Sequence, residues 1–119
     1  MGVYERKPSD KVIRSPAKGK NGELIHVEVF GPVCQLRVGR YQHKFILQRC
    51  PITGAVEKLT HYASGMVVGS LREFRVSAYL GRGSRITDRD AAKALIASAI
   101  AKNGAERVNV VINSAAVIN

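Results

Sequence analysis

Lysine and arginine are the side chains in this sequence best able to do chemistry, because they recur along its length and outnumber the acids. The chain has 19 Lys and Arg against 9 Asp and Glu, a formal net charge of +10 on 119 residues. Side chains that neutralise phosphates release the cations condensed on a nucleic acid, and this effect needs no sequence motif. The charge therefore favours a polyanion as partner, although net charge reports on association rather than on fold.

One group of basic residues alternates with apolar residues on predicted strands, which would place it on one face of a sheet. Lys and Arg can follow phosphates there while a tyrosine offers a stacking surface for a base. We expect Tyr41 and Tyr62 at the edges of this face. The competing interpretation is an ordinary solvated sheet face. The predicted binding residues on it are Arg37, Lys44, Lys58, Arg75 and Tyr79, with Gln35 and Gln48 beside them.

Two further groups of basic residues lie outside this face. Arg82 and Arg85 stand in a glycine-containing loop, where the backbone can approach a phosphate and each guanidinium can bind it with two hydrogen bonds. This loop lacks the spacing of a phosphate-binding P-loop or of a dinucleotide fold, so a plain connector is the alternative. The amino-terminal segment contributes Arg14, Lys18 and Lys20 as predicted contacts.

The sequence gives little evidence for a catalytic site. The histidines His26, His43 and His61 lie in separate segments, without a paired metal-ligand spacing. The least implausible enzyme is a small basic nuclease that uses His61, Arg75 and an acidic residue. We therefore expect a protein that is not an enzyme and that has no cofactor and no metal.

The cysteine count and the hydropathy pattern indicate the cellular compartment of the protein. Cys34 and Cys50 are the two cysteines, fewer than a small secreted domain normally uses, so both are expected to be reduced. Cys34 has the apolar context of a buried side chain. Nothing approaches the roughly 20 apolar residues of a membrane span, and the amino terminus is charged. We predict a cytoplasmic protein with no membrane contact.

The alternation of apolar and polar residues predicts a series of short strands. Ile25, Val27 and Val29 alternate as in a strand with one buried face, and Gly31 with Pro32 interrupts the pattern. Short turns separate the later segments, which favours an antiparallel meander of about five or six strands. The predicted strands after the first are Cys34–Val38, 41–49, 56–62, 66–71 and 74–80, the last with a helical alternative.

A helix over about residues 88–102 is the clearest element of the sequence. Thr87 can cap its free amides, acidic residues follow in the first turn, and Asn103 with Gly104 ends it. Its apolar stripe is Ala91, Ala92, Leu95, Ile96, Ala99 and Ile100. The tail from 105 to 119 fits a short strand or a helix, and its β-branched residues favour the strand.

These elements predict an α+β fold in which one principal helix covers an antiparallel sheet. Residues 1–22 carry six basic and two acidic side chains and form either a basic amino-terminal arm or a loosely attached first strand. Residues 23–119 form a single domain.

The leading hypothesis from sequence is a small protein that binds DNA or RNA without reading sequence, or binds a single strand, through the basic sheet face. The alternative is an assembly or regulatory subunit of a larger complex or mobile element, without nucleic-acid contact. We expect a homo-oligomer, formed through open sheet edges or through the apolar tail. The tail residues in question are Val108, Val110, Val111, Ile112, Val117 and Ile118.

Overall fold

The chain folds as a five-stranded antiparallel meander with helices packed on one face of the sheet. A computed structural model describes residues 5–74 and 87–119. The strands pair in chain order, so the predicted α+β meander is confirmed. The elements are β1 (Asp10–Lys18), β2 (Leu24–Val38), β3 (Tyr41–Arg49), β4 (Val56–His61), β5 (Val67–Ser70), α1 (Asp88–Asn103) and α2 (Ala105–Ser114).

β2 is one long bent strand, whereas the sequence predicts two strands separated by Gly31 and Pro32. Its amino half pairs with β1 as far as Pro32, and its carboxyl half pairs with β3 from Val33 onward. Pro32 has no N–H, and the ladder with β3 begins one residue after it. A Cβ at Gly31 would collide with the carbonyl oxygen of Leu47, so only glycine allows β2 to fold this closely over β3. The two residues bend the strand without ending it.

The main core lies between one sheet face, called here the inner face, and the helices. β2 contributes Cys34, Leu36 and Val38, and α1 contributes most of its predicted stripe. The alanines of α1 bring the helix close to the sheet, and Gly69 in β5 leaves room for the Leu95 side chain. The buried residues of α1 are Ala91, Ala92, Leu95 and Ile96.

β1 covers the middle of the opposite sheet face, called here the outer face. Ile46 and Thr60 point to this face, and neither is exposed to solvent. Ile13 of β1 is also buried, outside the core under the helices. The Ser15 hydroxyl donates to the carbonyl oxygen of Gly65 at 2.7 Å, in the turn between β4 and β5. β1 therefore crosses the outer face and divides it into two exposed ends.

The limits of α1 agree with the sequence prediction. Thr87 is the N-cap, and its hydroxyl accepts from the amide of Asp90 while the Asp90 carboxylate accepts from the amide of Thr87. This reciprocal capping satisfies two of the amides that a helix start leaves unpaired. Gly104 ends the helix with a φ of 84°, a left-handed value that favours glycine.

At two places in the carboxyl-terminal half, where the sequence allows a strand or a helix and favours the strand, the structure is helical. The tail forms helix α2 instead of a strand, because Ile112 packs into the core and the Asn109 amide donates to Val38 and Ala105. Phe74, predicted to begin a strand, belongs to a helical turn at residues 72–74 and packs against the core. The rest of that predicted strand lies outside the described residues. Among the described residues, no helix combines the length and apolarity needed to span a membrane.

Candidate nucleic-acid interface

The register of β2 and β3 brings two predicted cations together on the outer face. Gln35 is opposite Lys44, and Arg37 is opposite Gln42, so these four exposed side chains form one patch. The Lys44 ammonium lies 4.1 Å from the centre of the Tyr62 ring, within the range of a cation–π contact. Arg37 and Lys44 therefore share one end of the outer face, as predicted.

Lys58 lies at the other end of this face, away from Arg37 and Lys44. It pairs with Gln48 and with Ser70, beyond the positions that β1 covers. Arg72 and the acidic Glu57 line the same small depression as Lys58. Lys58 thus shares the outer face with Arg37 and Lys44, but covered residues separate the two ends.

A groove joins the Arg37 end of the sheet to helix α1. It has a volume of about 450 Å³. Arg37, Arg89 and Lys93 line it together with Gln35 and Gln42, and among its described lining residues none is acidic. The remaining lining residues are Leu36, Ile96, Ala97 and Ile100. The groove thus offers three cations and two amides above a partly apolar floor.

The helix places its two cations by simple spacing. Arg89 and Lys93 are four residues apart, on the edge of α1 that borders the buried stripe. The Arg89 guanidinium lies 3.4 Å from the Cys34 sulfur, which turns it toward β2. Neither residue is among the binding residues predicted from sequence. The same spacing continues through Ala97, a signal that could have identified this edge of the helix.

The backbone of β2 adds donors to the groove. Gly39 and Arg40 form a two-residue hairpin loop, so the flanking Val38 and Tyr41 are a hydrogen-bonded pair. By alternation, Leu36 and Cys34 also direct their backbone groups toward β3. The N–H groups of Gln35 and Arg37 then point to the opposite edge of the strand, beside the groove. Within the described residues that edge has no strand partner between 33 and 38.

The remaining predicted contacts fall elsewhere. Lys18 and Lys20 lie at the tip of the β1–β2 ribbon. Arg14 lies in β1, where its guanidinium donates to the carbonyl oxygen of Ile118 at 2.7 Å. Four predicted residues lie outside the described part of the chain: Arg75, Tyr79, Arg82 and Arg85.

The cysteines are both free thiols, and Cys34 is buried as predicted. Burial raises the pKa of the Cys34 thiol, against the opposing effect of the nearby Arg89 and Lys93. Cys34 is therefore a buried, protonated thiol in contact with Arg89 of the groove lining. The pKa of Cys50 is lowered by hydrogen bonds, chiefly from the backbone and side chain of Thr53.

Two histidines sit on the inner sheet face, away from the basic patch. His43 and His61 have ring centres 6.0 Å apart, and both rings make edge contacts with Phe45. His61 is 9% exposed, and its Nδ1 is 2.8 Å from the Ser64 hydroxyl. Burial lowers the pKa of His61, and the charge of His43 adds to this. His43 Nε2 is 2.6 Å from the Asn109 side-chain oxygen, which joins β3 to α2.

No group of three or more His, Cys, Asp or Glu side chains in the described ranges is placed to hold a metal ion. The arrangement that remains is electrostatic: cations, amides and backbone donors around one groove. No protein-family model matches this sequence, and the searches of curated proteins and of solved structures also found no match.

Proposed function

We propose that this protein binds nucleic acid without catalysing a reaction, and that the groove between α1 and β2 holds a single strand by its phosphates. The observation that carries this proposal is the groove lining of Arg37, Arg89 and Lys93 with no acidic residue among its described members. Such a surface attracts phosphates by counterion release and by charge-assisted hydrogen bonds.

A single strand suits this site better than a duplex. The cations surround a concave groove, which a flexible strand can enter with its phosphates on Arg37 and Arg89. Beyond the groove, the patch continues over Gln42 and Lys44 to the half-buried ring of Tyr62, which gives the strand a path across β3. Contacts of this kind do not read base edges, so binding should be nearly independent of sequence.

The test compares two variants that lose the same charge. The groove variant carries Arg37→Ala, Arg89→Ala and Lys93→Ala, and the control carries Lys58→Ala, Arg72→Ala and Arg107→Ala. Fluorescence anisotropy with a labelled single-stranded oligonucleotide of mixed sequence gives the affinity at two salt concentrations. We expect the groove variant to bind at least about tenfold more weakly, with a flatter salt dependence, because phosphate contacts are lost.

The control variant should lose much less affinity, since its cations lie outside the groove. Equal losses in the two variants would show diffuse attraction to net charge and would refute the groove. No binding by the unmodified protein at low salt would refute nucleic-acid binding altogether. Circular dichroism of both variants verifies that each is folded.

A further inference from the structure

The amino half of β2 exposes an apolar surface that the sequence predicts to be buried. Ile25 is 39% exposed and Val27 is 40% exposed, although both belong to the predicted buried face. Leu24, on the other face, is 73% exposed. Every residue from 24 to 28 is exposed, so both faces of this part of β2 are accessible to solvent. An apolar strand exposed on both faces is a typical site of association.

The same half of β2 also has an available edge. Arg14 of β1 uses its backbone N–H and C=O to bond the side chain of Asn119, so neither group points to β2. Arg14 and its partner Glu28 are therefore a pair without mutual hydrogen bonds. By alternation, the backbone groups of Leu24, His26 and Glu28 point away from β1. In the described part of the chain, no strand pairs with this edge of residues 24–28.

We propose that a second copy of this chain pairs with this edge, antiparallel and centred on Val27, to form a symmetric dimer. In this register His26 faces the partner's Glu28, and the reverse pair forms by symmetry. Val27 faces the partner's Val27, and Ile25 faces the partner's Val29. The result is a continuous four-stranded sheet, β1–β2–β2–β1, of the isologous kind common in homodimers.

Charge and shape select this register. A pairing shifted to centre on His26 would place two histidines opposite each other and would set Glu28 against the apolar Leu24. Centring on Val27 instead joins each carboxylate to an imidazole and covers the exposed apolar side chains. Polar side chains that interact directly across a strand pair each contribute about 0.2 to 1 kcal/mol. In this register each side chain of the segment has a complementary side chain in the same segment of the second copy.

The segment is a poor match for nucleic acid, the partner proposed for the groove. Residues 24–30, Leu-Ile-His-Val-Glu-Val-Phe, contain no Lys or Arg and one Glu. Dimerisation should also respond to salt in the opposite direction. Each copy carries +10, so screening reduces the repulsion between copies and favours the dimer, whereas it weakens nucleic-acid binding.

The first test measures the mass of the full chain by sedimentation equilibrium, without nucleic acid. We expect a dimer of the unmodified protein that tightens as salt is raised. Val27→Lys places two ammonium groups together on the symmetry axis and should give a monomer. Val27→Thr keeps the β-branched shape at the same site and should remain a dimer. A monomeric unmodified protein at the highest soluble concentration, or a dimeric Val27→Lys variant, would overturn the proposal.

The second test compares an acidic and a basic side chain at the exposed position 26, which faces the uncharged Pro16 in β1. His26→Glu sets two carboxylates together in the dimer and should weaken it about tenfold, whereas His26→Lys should preserve it. Equal effects of the two changes would contradict the register. If His26→Glu instead lowered oligonucleotide affinity in a monomeric protein, the edge would belong to nucleic acid. Loss of oligonucleotide binding by the groove variant leaves this proposal untouched.

Discussion

The two halves of β2 are one continuous strand, yet they have opposite chemistry. The amino half is apolar, exposed on both faces, and unpaired on the side toward β3 among the described residues. The carboxyl half packs one face into the core and borders a basic groove on the opposite side. The bend between them exchanges the paired edge, so one strand presents two available edges on opposite sides. This separation would let the proposed self-association and the proposed nucleic-acid binding occupy different surfaces of a small domain.

The strongest way to break this arrangement is to remove the bend. Gly31→Ala adds a Cβ that collides with the Leu47 backbone, which cannot move aside as a side chain can. We expect the free energy of unfolding to fall by about 3 kcal/mol, the upper range for overpacking a core. Urea denaturation followed by circular dichroism gives this value.

Gly19→Ala is the matched control in the same ribbon. A Cβ at Gly19 meets only the flexible carboxyl end of Glu23, which can rotate away. We expect its unfolding curve to stay close to that of the unmodified protein. Similar losses in the two variants would show that glycine flexibility, and not the close approach at residue 31, sets the effect.

The sequence predicts most of the elements but not the way they bend. β3 and α1 follow clear periodicities with Gly, Thr and Asn at their ends, and the structure has them at nearly the predicted limits. Gly31 and Pro32 are residues typical of a turn. In the structure Gly31 instead lies against the Leu47 backbone, and the strand bends there without ending. The tail has the β-branched residues of a strand, but the Asn109 bonds and the packing of Ile112 make it helical. Long-range contacts overrode local preference at both places.

Acid should destabilise the strands packed beside the carboxyl half of β2 before it affects the amino half of β2. Burial lowers the pKa of His61 below the value of about 6.5 for a free histidine, so the unfolded chain binds a proton more readily than the folded one. The contribution of His61 to stability is then constant at alkaline pH and falls as pH drops below about 6.5. The loss should be smaller than that of Gly31→Ala.

Unfolding curves at several pH values measure this loss, and His61→Phe is the informative variant because it cannot titrate. Its stability should depend less on pH between about 5 and 7 than that of the unmodified protein. Amide exchange should accelerate in β3 and β4, where His61 faces Phe45, before it does in the exposed ribbon. An unchanged pH dependence in His61→Phe would assign the acid response to another group.

The outer edge of β1 allows a test with a smaller expected effect. The Asn119 side chain and Pro16 protect this edge from pairing with another strand. The Asn119 amide bonds both backbone groups of Arg14 and the carbonyl oxygen of Tyr62. Asn119→Ala removes these exposed bonds and should cost about 1 kcal/mol in unfolding free energy. Amide exchange at Arg14 should accelerate with it. Asn113→Ala in α2 is the control, and an equal cost there would indicate a general effect of losing an asparagine.

The site was less predictable than the fold. Alternation correctly placed Arg37 and Lys44 on one face, since register follows from the two-residue turn between their strands. It could not show that β1 crosses that face and isolates Lys58, because the crossing depends on the bend in β2. Nor could it bring Arg89 and Lys93 beside β2, because that contact joins residues more than fifty positions apart in the chain.

The smallest expected effect distinguishes these two versions of the site. If the basic surface were the whole sheet face, Arg37→Ala and Lys58→Ala would weaken oligonucleotide binding equally. In the structure Arg37 lines the groove, whereas Lys58 lies beyond the residues covered by β1, next to Glu57. We therefore expect about a threefold loss for Arg37→Ala and almost none for Lys58→Ala, the size of one lost phosphate contact at moderate salt. Anisotropy titrations under identical conditions resolve such a difference. Equal losses would indicate that nucleic acid binds over the whole outer face. The strand would then cross β1 instead of following the carboxyl half of β2.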